Sequence, residues 1–311
     1  MSGDLTRASM GLLIAMVLND VCRENYLQVN GVELCWFEWG EHKKNEQTIV
    51  LVHATGFHAR CWDQTIKYLG DNHIVALDMR GHGRSGKMEP YNGASFGGDV
   101  TAFIDLLDLN NIVGVGHSMG GLAMTHAAAN LPDRFSRVVL VDPVIMNPEL
   151  YALVETHHDQ FLNGSGQHPI ARRRNFFIDA ESMFENFEGR GSYGSWKVEA
   201  LHDYCEYGLL PDPDGGGYVL ACPPRVEASI YMGSSSLDIF DKISRIKIPV
   251  TVLRARQRSA EQKEMDFSQS PTWDQLASKF HDGRDVSLPE LTHFMPMQAP
   301  ELVAEYILGT K

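Results

Sequence analysis

Gly114-Val-Gly-His-Ser-Met-Gly-Gly-Leu-Ala123, GVGHSMGGLA, is the stretch on which the fold turns. An apolar, β-branched run, NIVGVGH (111–117), leads straight into Ser118, and a helix-like MGGLAMTHAAAN (119–130) follows. A serine at such a strand-to-helix bend stands clear of the sheet, and the bend is so tight that its neighbours must be small. Gly116 and Gly120 supply that smallness. Met119 opens the helix, so its backbone N–H points back at the serine and can stabilise an oxyanion. In a chain with 28 glycines G-x-S-x-G alone is a weak signal. The buried strand before it and the helix after it make Ser118 a candidate nucleophile.

Outward from that bend, runs of the same kind recur with helical stretches between them: TIVLVH (48–53), HIVALD (73–78), RVVLVD (137–142) and IPVTVLRA (248–255). Near-continuous apolar strands are buried on both faces, which predicts a parallel sheet covered by helices. YLQV (26–29) and VELCWFEW (32–39) are separated only by Asn30-Gly31, a hairpin signal, so the sheet is expected to begin antiparallel. The rhythm stops after about residue 145 and resumes near 248, which divides the chain into a core (22–145 and 246–311) and an insert (146–245). The insert reads as helices with one glycine-rich surface turn, PDPDGGGYVL (211–220). It falls over the carboxyl ends of the strands, where open α/β sheets bind ligands, and is expected to be a cap. Residues 1–21 form an N-terminal extension whose apolar run, MGLLIAMVL (10–18), is too short to span a membrane. It also lacks the flanks of an export signal and is expected to be a helix, docked or loosely ordered.

Composition narrows the function. The net charge of −13 repels phosphate backbones and anionic lipid surfaces, so nucleic acid is not an expected partner. Five widely spread cysteines without a CxxC pair point to reduced thiols in the cytoplasm, with no disulfide framework or zinc site.

Four stretches, in order, carry a resemblance: VLVHATGFHARCW (50–62), ALDMRGHGRSG (76–86), VGHSMGG (115–121) and LPELTHFMPMQAPELVAEYI (288–307). The chain resembles an α/β-hydrolase over nearly its whole length. The resemblance implies an eight-stranded, mostly parallel α/β sheet with an inserted helical cap, a catalytic triad and an oxyanion hole. It makes His293, in LTHFMPMQ, the base that takes the serine proton and returns it to the leaving group. It makes the backbone N–H of Thr55 the second oxyanion donor beside Met119, although Ala54 stands where members usually carry glycine.

The acid departs from the pattern. Members usually place it after the strand written here VTVLRA, but this chain reads Arg254-Ala-Arg-Gln-Arg-Ser259 and has no carboxylate there. Asp142, at the end of RVVLVD and followed by Pro143, is the preferred acid, an arrangement similar to that of some haloalkane dehalogenases; Asp266 is the alternative. Phe57, His117 and Trp196 are candidate substrate-lining residues, His53 and His58 are read as structural or lining, and the arginines at 172–174 as a solvated face. Asp78 and Arg80 are expected to shape a loop without direct chemistry.

A serine nucleophile with a histidine base defines acyl transfer, so the expected activity is hydrolysis of a small or medium carboxylic ester or lactone through an acyl-enzyme. Serine in place of aspartate disfavours dehalogenase and epoxide-hydrolase chemistry. A carbon–carbon bond hydrolase of the same fold, or a ligand receptor that retains the triad, are the alternatives. The expected partner is a small-molecule ester; no metal or organic cofactor is needed, and a homodimer is left open.

Overall fold

A computed structural model describes residues 22–42, 46–151, 168–233, 239–257 and 268–311. The N-terminal extension and Asp266 lie outside the described residues.

The sheet begins with β1 (Arg23–Val29) and β2 (Val32–Trp39), paired antiparallel from Val29↔Val32 outward. Asn30 and Gly31 turn the hairpin with φ of 48° and 79°, the positive values that an Asn-Gly two-residue loop supplies at least cost. β3 (Thr48–Val52), β4 (His73–Leu77), β5 (Ile112–His117), β6 (Phe135–Val141), β10 (Pro249–Arg254) and β11 (Asp282–Ser287) complete an eight-stranded sheet of order β1-β2-β4-β3-β5-β6-β10-β11. From β4 to β11 every pairing is parallel.

Alternation along the central strands sends side chains to two cores. Val50, Val52, Val75 and Leu77 join one face, and Ile49, Leu51, Ile74 and Ala76 the other. The middle of each of these strands is therefore apolar at successive positions, which is why no polar alternation marks it. The helices α1 (Gly93–Leu106) and α2 (Met119–Asn130) cover the first face and pack on each other. α2 lies close to β5 because small residues line the contact. A Cβ on Gly114 would stand 2.7 Å from the Met124 sulfur, and α2 itself carries Gly120, Gly121 and four alanines. α6 (Pro300–Leu308; helices of eight or more residues are numbered in chain order) adds Val303, Ala304 and Ile307 to the other face.

The chain leaves the sheet after β6 and returns at β10. Between them lie α3 (Ala180–Phe187), α4 (Val198–Tyr207) and α5 (Pro224–Gly233). A small antiparallel sheet of β7 (Phe176–Phe177), β8 (Leu209–Pro211) and β9 (Tyr218–Leu220) accompanies them, in the order β7-β9-β8. The glycine-rich turn connects β8 to β9, with Asp212 N–H bonded to the Gly217 carbonyl at 3.0 Å. The helices of the insert match the sequence expectation, whereas the sheet does not arise from it: strands of two or three residues are too short to show a period. No helix among the described residues is long and apolar enough to cross a membrane.

Candidate active site

β5 runs fully buried to His117, and Ser118 then takes φ 57° and ψ −118° before α2 begins. Its N–H reaches across to the Val141 carbonyl of β6 at 3.0 Å, and its own carbonyl receives Gly121 N–H at 3.0 Å and Val144 N–H at 3.1 Å. A non-glycine residue at positive φ is strained, and these bonds on both sides hold it there. The glycines serve for space. A Cβ on Gly116 would stand 2.2 Å from the Gly120 carbonyl oxygen, and one on Gly120 would stand 2.3 Å from the Val52 oxygen. Although Ser118 occupies the N-cap position of α2, its hydroxyl caps nothing. That leaves Oγ to donate to His293 Nε2 at 2.9 Å.

His293 sits between β11 and the short helix Met295–Gln298. Its Nδ1–H donates to Asp142 Oδ2 at 2.6 Å, so that ring and carboxylate are joined on the side away from Ser118. Asp142 is fully buried, at 0% exposure, yet its other oxygen is well supplied with donors. Oδ1 accepts from Ala255 N–H at 3.0 Å and from the Ser270 hydroxyl, with the Thr272 hydroxyl 3.2 Å away and shared with the Pro143 carbonyl at 2.7 Å. Burial by itself pushes the Asp142 carboxyl up; the bonds from His293, Ser270 and Ala255 outweigh it and hold the group below the ordinary carboxylate range. The acid is therefore ionised at neutral pH.

The place of Asp142 follows from the register. β6 and β10 are neighbours with Leu253 opposite Val141, so the tips of the two strands lie side by side. The tip of β10 carries no carboxylate: Arg254 turns to Asp285 of β11 through two hydrogen bonds of 2.6 and 2.8 Å, and Ala255 gives its N–H to Asp142.

Across the serine, Ala54 to Phe57 form a turn closed by Phe57 N–H and the Ala54 carbonyl at 3.2 Å. Gly56 takes φ +79° there, and a Cβ on it would stand 2.6 Å from Glu227, so both conformation and space require glycine. Thr55 bonds its hydroxyl to the Met119 sulfur at 3.3 Å, which draws the two residues together beside Ser118. Neither the Thr55 nor the Met119 N–H has a backbone partner among the described residues. The methyl group of Ala54 is absorbed in the cluster that joins this turn to the insert.

That cluster is aromatic. The Phe57 ring lies 5.7 Å from Trp196, 5.3 Å from Tyr204 and 5.9 Å from Phe294, and Trp196 lies 5.3 Å from Phe294. Phe57 and Trp196 thus stand together, and the buried indole N–H of Trp196 has no hydrogen-bond partner among the described residues. His117 turns instead toward the protein: its Nε2–H donates to the His293 carbonyl at 2.8 Å. His53 receives Met79 N–H at 3.0 Å, and His58 donates to the Tyr204 carbonyl at 3.1 Å, tying the turn to α4. Asp78 receives Ala59 N–H at 2.6 Å and Arg84 N–H at 2.8 Å, and Arg80 pairs with Asp99 at 2.7 Å, as expected of loop-shaping residues.

The arginine run divides. Arg172 and Arg174 are exposed, but Arg173 turns inward to Glu227 at 2.7 Å and the Tyr204 hydroxyl at 3.1 Å. Ser270 and Thr272, which hold the acid, have no sequence signal linking them to a residue about 130 positions earlier. Phe294 is an aromatic neighbour of the site that the sequence does not single out, whereas Tyr204 reads from the sequence as a packing aromatic of the insert and stands against Phe57. Among the described residues no three His, Cys, Asp or Glu side chains are grouped to hold a metal ion.

Comparison with known proteins agrees with this architecture. A relative from Acinetobacter calcoaceticus, a bifunctional esterase/perhydrolase, is 24% identical over 90% of this chain and 96% of its own. A 3-oxoadipate enol-lactonase of Acinetobacter baylyi is 26% identical over 67% of this chain and 70% of its own. Among solved structures, an E-2-(acetamidomethylene)succinate hydrolase superposes with a TM-score of 0.69 at 20% identity, covering 93% of this chain and 98% of that one. The sequence profile of the alpha/beta hydrolase family matches residues 49–306, which span β3 to α6 and every residue of the Ser118 site, and the chain belongs to that family.

Proposed function

We propose that the protein is a serine hydrolase that cleaves a small or medium carboxylic ester, or a lactone, through an acyl-enzyme. The observation that carries this reading is the unbroken buried relay from Ser118 Oγ through both nitrogens of His293 to Asp142. Ser118 attacks the ester carbonyl while His293 Nε2 takes its proton, and ionised Asp142 balances the imidazolium that results. The Met119 and Thr55 N–H groups receive the oxyanion of the tetrahedral intermediate. His293 then returns the proton to the departing alkoxide. Water, deprotonated by the same nitrogen, attacks the acyl-enzyme and releases the acid with Ser118 restored.

Residues 146–245 act as a cap, and Phe57 and Trp196 line the substrate chamber. The aromatic cluster bridging the insert to the turns at Ala54–Phe57 and Phe294 supports this, and the unpartnered Trp196 N–H leaves a donor for a polar group of the ligand. Two relatives are named for esterase and enol-lactonase activity, which supports the same class of bond here. Free cysteines at all five positions, four of them buried, suit the cytoplasm.

The test combines a fluorophosphonate probe with p-nitrophenyl esters of increasing chain length, on wild type and Ser118→Ala. Labelling and hydrolysis by wild type alone are expected. An unlabelled wild type, or equal hydrolysis by the two proteins, refutes the reading.

A further inference from the structure

We propose that His117 is a positioning residue for the base, holding the main chain of His293 while Asp142 holds its ring. This rests on the reading of Ser118, His293 and Asp142 as the catalytic relay.

His117 is the last residue of β5 and lies opposite Val141, the last residue of β6. Ser118 and Asp142 are the residues that follow, so brace, nucleophile and acid leave the sheet at neighbouring strand tips. His293 is different, because it arrives on a connecting segment. Within that segment Leu291 N–H bonds to the Leu288 carbonyl at 3.0 Å and Thr292 N–H to Gln298 Oε1 at 2.8 Å, which fixes its internal shape. Arg256 N–H ties Leu291 to the end of β10 at 3.1 Å. The tie to β5 comes from the His117 side chain, whose Nε2–H meets the His293 carbonyl at 2.8 Å with the ring centroids 5.0 Å apart.

The chemistry of this contact selects histidine. A carbonyl oxygen only accepts, so His117 must carry its proton on Nε2. The ring is 1% exposed, with Phe57 and Trp62 at centroid distances of 6.2 and 6.4 Å. Burial, reinforced by His293, pushes its pKa down to about 3, so the donor is uncharged. Lysine or arginine would place a fixed cation beside the imidazolium that His293 becomes during turnover. Neutral histidine gives the donor without that repulsion. Without the donor, the buried His293 main chain loses its 2.8 Å bond to β5 and is no longer held against the strand tip. The ring then shifts relative to Ser118.

Two variants separate positioning from packing. His117→Phe keeps an aromatic ring and removes the donor; His117→Gln places an amide N–H near the position of Nε2. Loss of base alignment by about 1 Å predicts a kcat on p-nitrophenyl acetate lowered roughly 10- to 100-fold in His117→Phe. KM stays within about twofold, because ground-state binding is untouched. Fluorophosphonate labelling slows in proportion, and His117→Gln recovers most of the rate. If His117→Phe does not fold, His117→Met is compared with His117→Gln in its place. Wild-type kcat without the donor, or equal losses with and without it, overturns the inference. Failure of the relay itself would be recognised separately, by an unlabelled wild type or an active Ser118→Ala.

Discussion

On the proposed relay, replacing Asp142 by Asn changes one atom and is expected to disable His293 as a base. Oδ1 of Asp142 faces donors, the Ala255 N–H at 3.0 Å and the Ser270 hydroxyl, with the Thr272 hydroxyl shared between it and the Pro143 carbonyl. An asparagine in the same rotamer must put its carbonyl oxygen there, because its NH2 group would face the Ala255 N–H. The NH2 group then takes the place of Oδ2, 2.6 Å from His293 Nδ1. Two N–H groups cannot share that contact, so Nδ1 gives up its proton and Nε2 carries it. An Nε2–H pointing at Ser118 Oγ cannot accept the serine proton. In triads where the tautomer has been reversed in this way kcat falls by about 10⁴, which corresponds to roughly 5.5 kcal/mol of barrier. These donors stay partnered, so the fold is retained and the loss falls on kcat. The assay is steady-state hydrolysis of p-nitrophenyl acetate, with circular dichroism to verify the fold. A folded Asp142→Asn with kcat within about tenfold of wild type refutes the tautomer argument and removes Asp142 from the relay.

Three further outcomes follow from geometry and charge. Ser270→Ala deletes one charge-assisted bond to Asp142 and should lower kcat about tenfold at constant KM; an unchanged kcat would mean the remaining donors suffice. Gly120→Ala drives a methyl group to 2.3 Å from the Val52 oxygen, and backbone on both sides cannot yield. A cost of about 3 kcal/mol and a Tm lower by at least about 6 °C are expected in differential scanning calorimetry, and an unshifted Tm would contradict the close approach. Finally, burial depresses the pKa of His53, His58, His82 and His117, so the folded state binds fewer protons than the unfolded one as pH drops through the ordinary histidine range near 6.5. The stability of wild type should therefore decline from pH 7 to 5. His58 has its pKa lowered to about 4, so His58→Gln should show a shallower decline; parallel curves would count against a neutral buried His58.

Much of this site was legible because it lies at strand ends. The centres of NIVGVGH and RVVLVD are apolar, and each run ends where the chain leaves the sheet; Ser118 and Asp142 are the residues that follow β5 and β6. Asp142 could be singled out from a deficit, since the tip of β10 offers arginines where the family usually carries a carboxylate, and the structure places it on His293. What holds the acid could not. Ser270 and Thr272 reach it only through the adjacency of β6 and β10, a relation between distant segments that no local pattern encodes. His117 reads as a lining residue from its place beside Ser118, because sequence order gives proximity but not the direction in which a ring points. Arg173 shows the same limit: its exposed neighbours share its charge, while burial of Glu227 on α5 decides that it alone turns inward. The three-stranded sheet of the insert escaped for a different reason, since its strands are shorter than one detectable period.

The register that puts Ser118 and Asp142 on adjacent strand tips also sorts the members of the proposed relay by mechanical tolerance. Two parallel strands bonded along their length move as one body, so the separation of Ser118 and Asp142 is set by the sheet itself. Alignment then depends on the one member that does not leave a strand tip, His293, and on the bonds that hold its segment. A fault anywhere in the relay becomes a fault in the seating of a single imidazole.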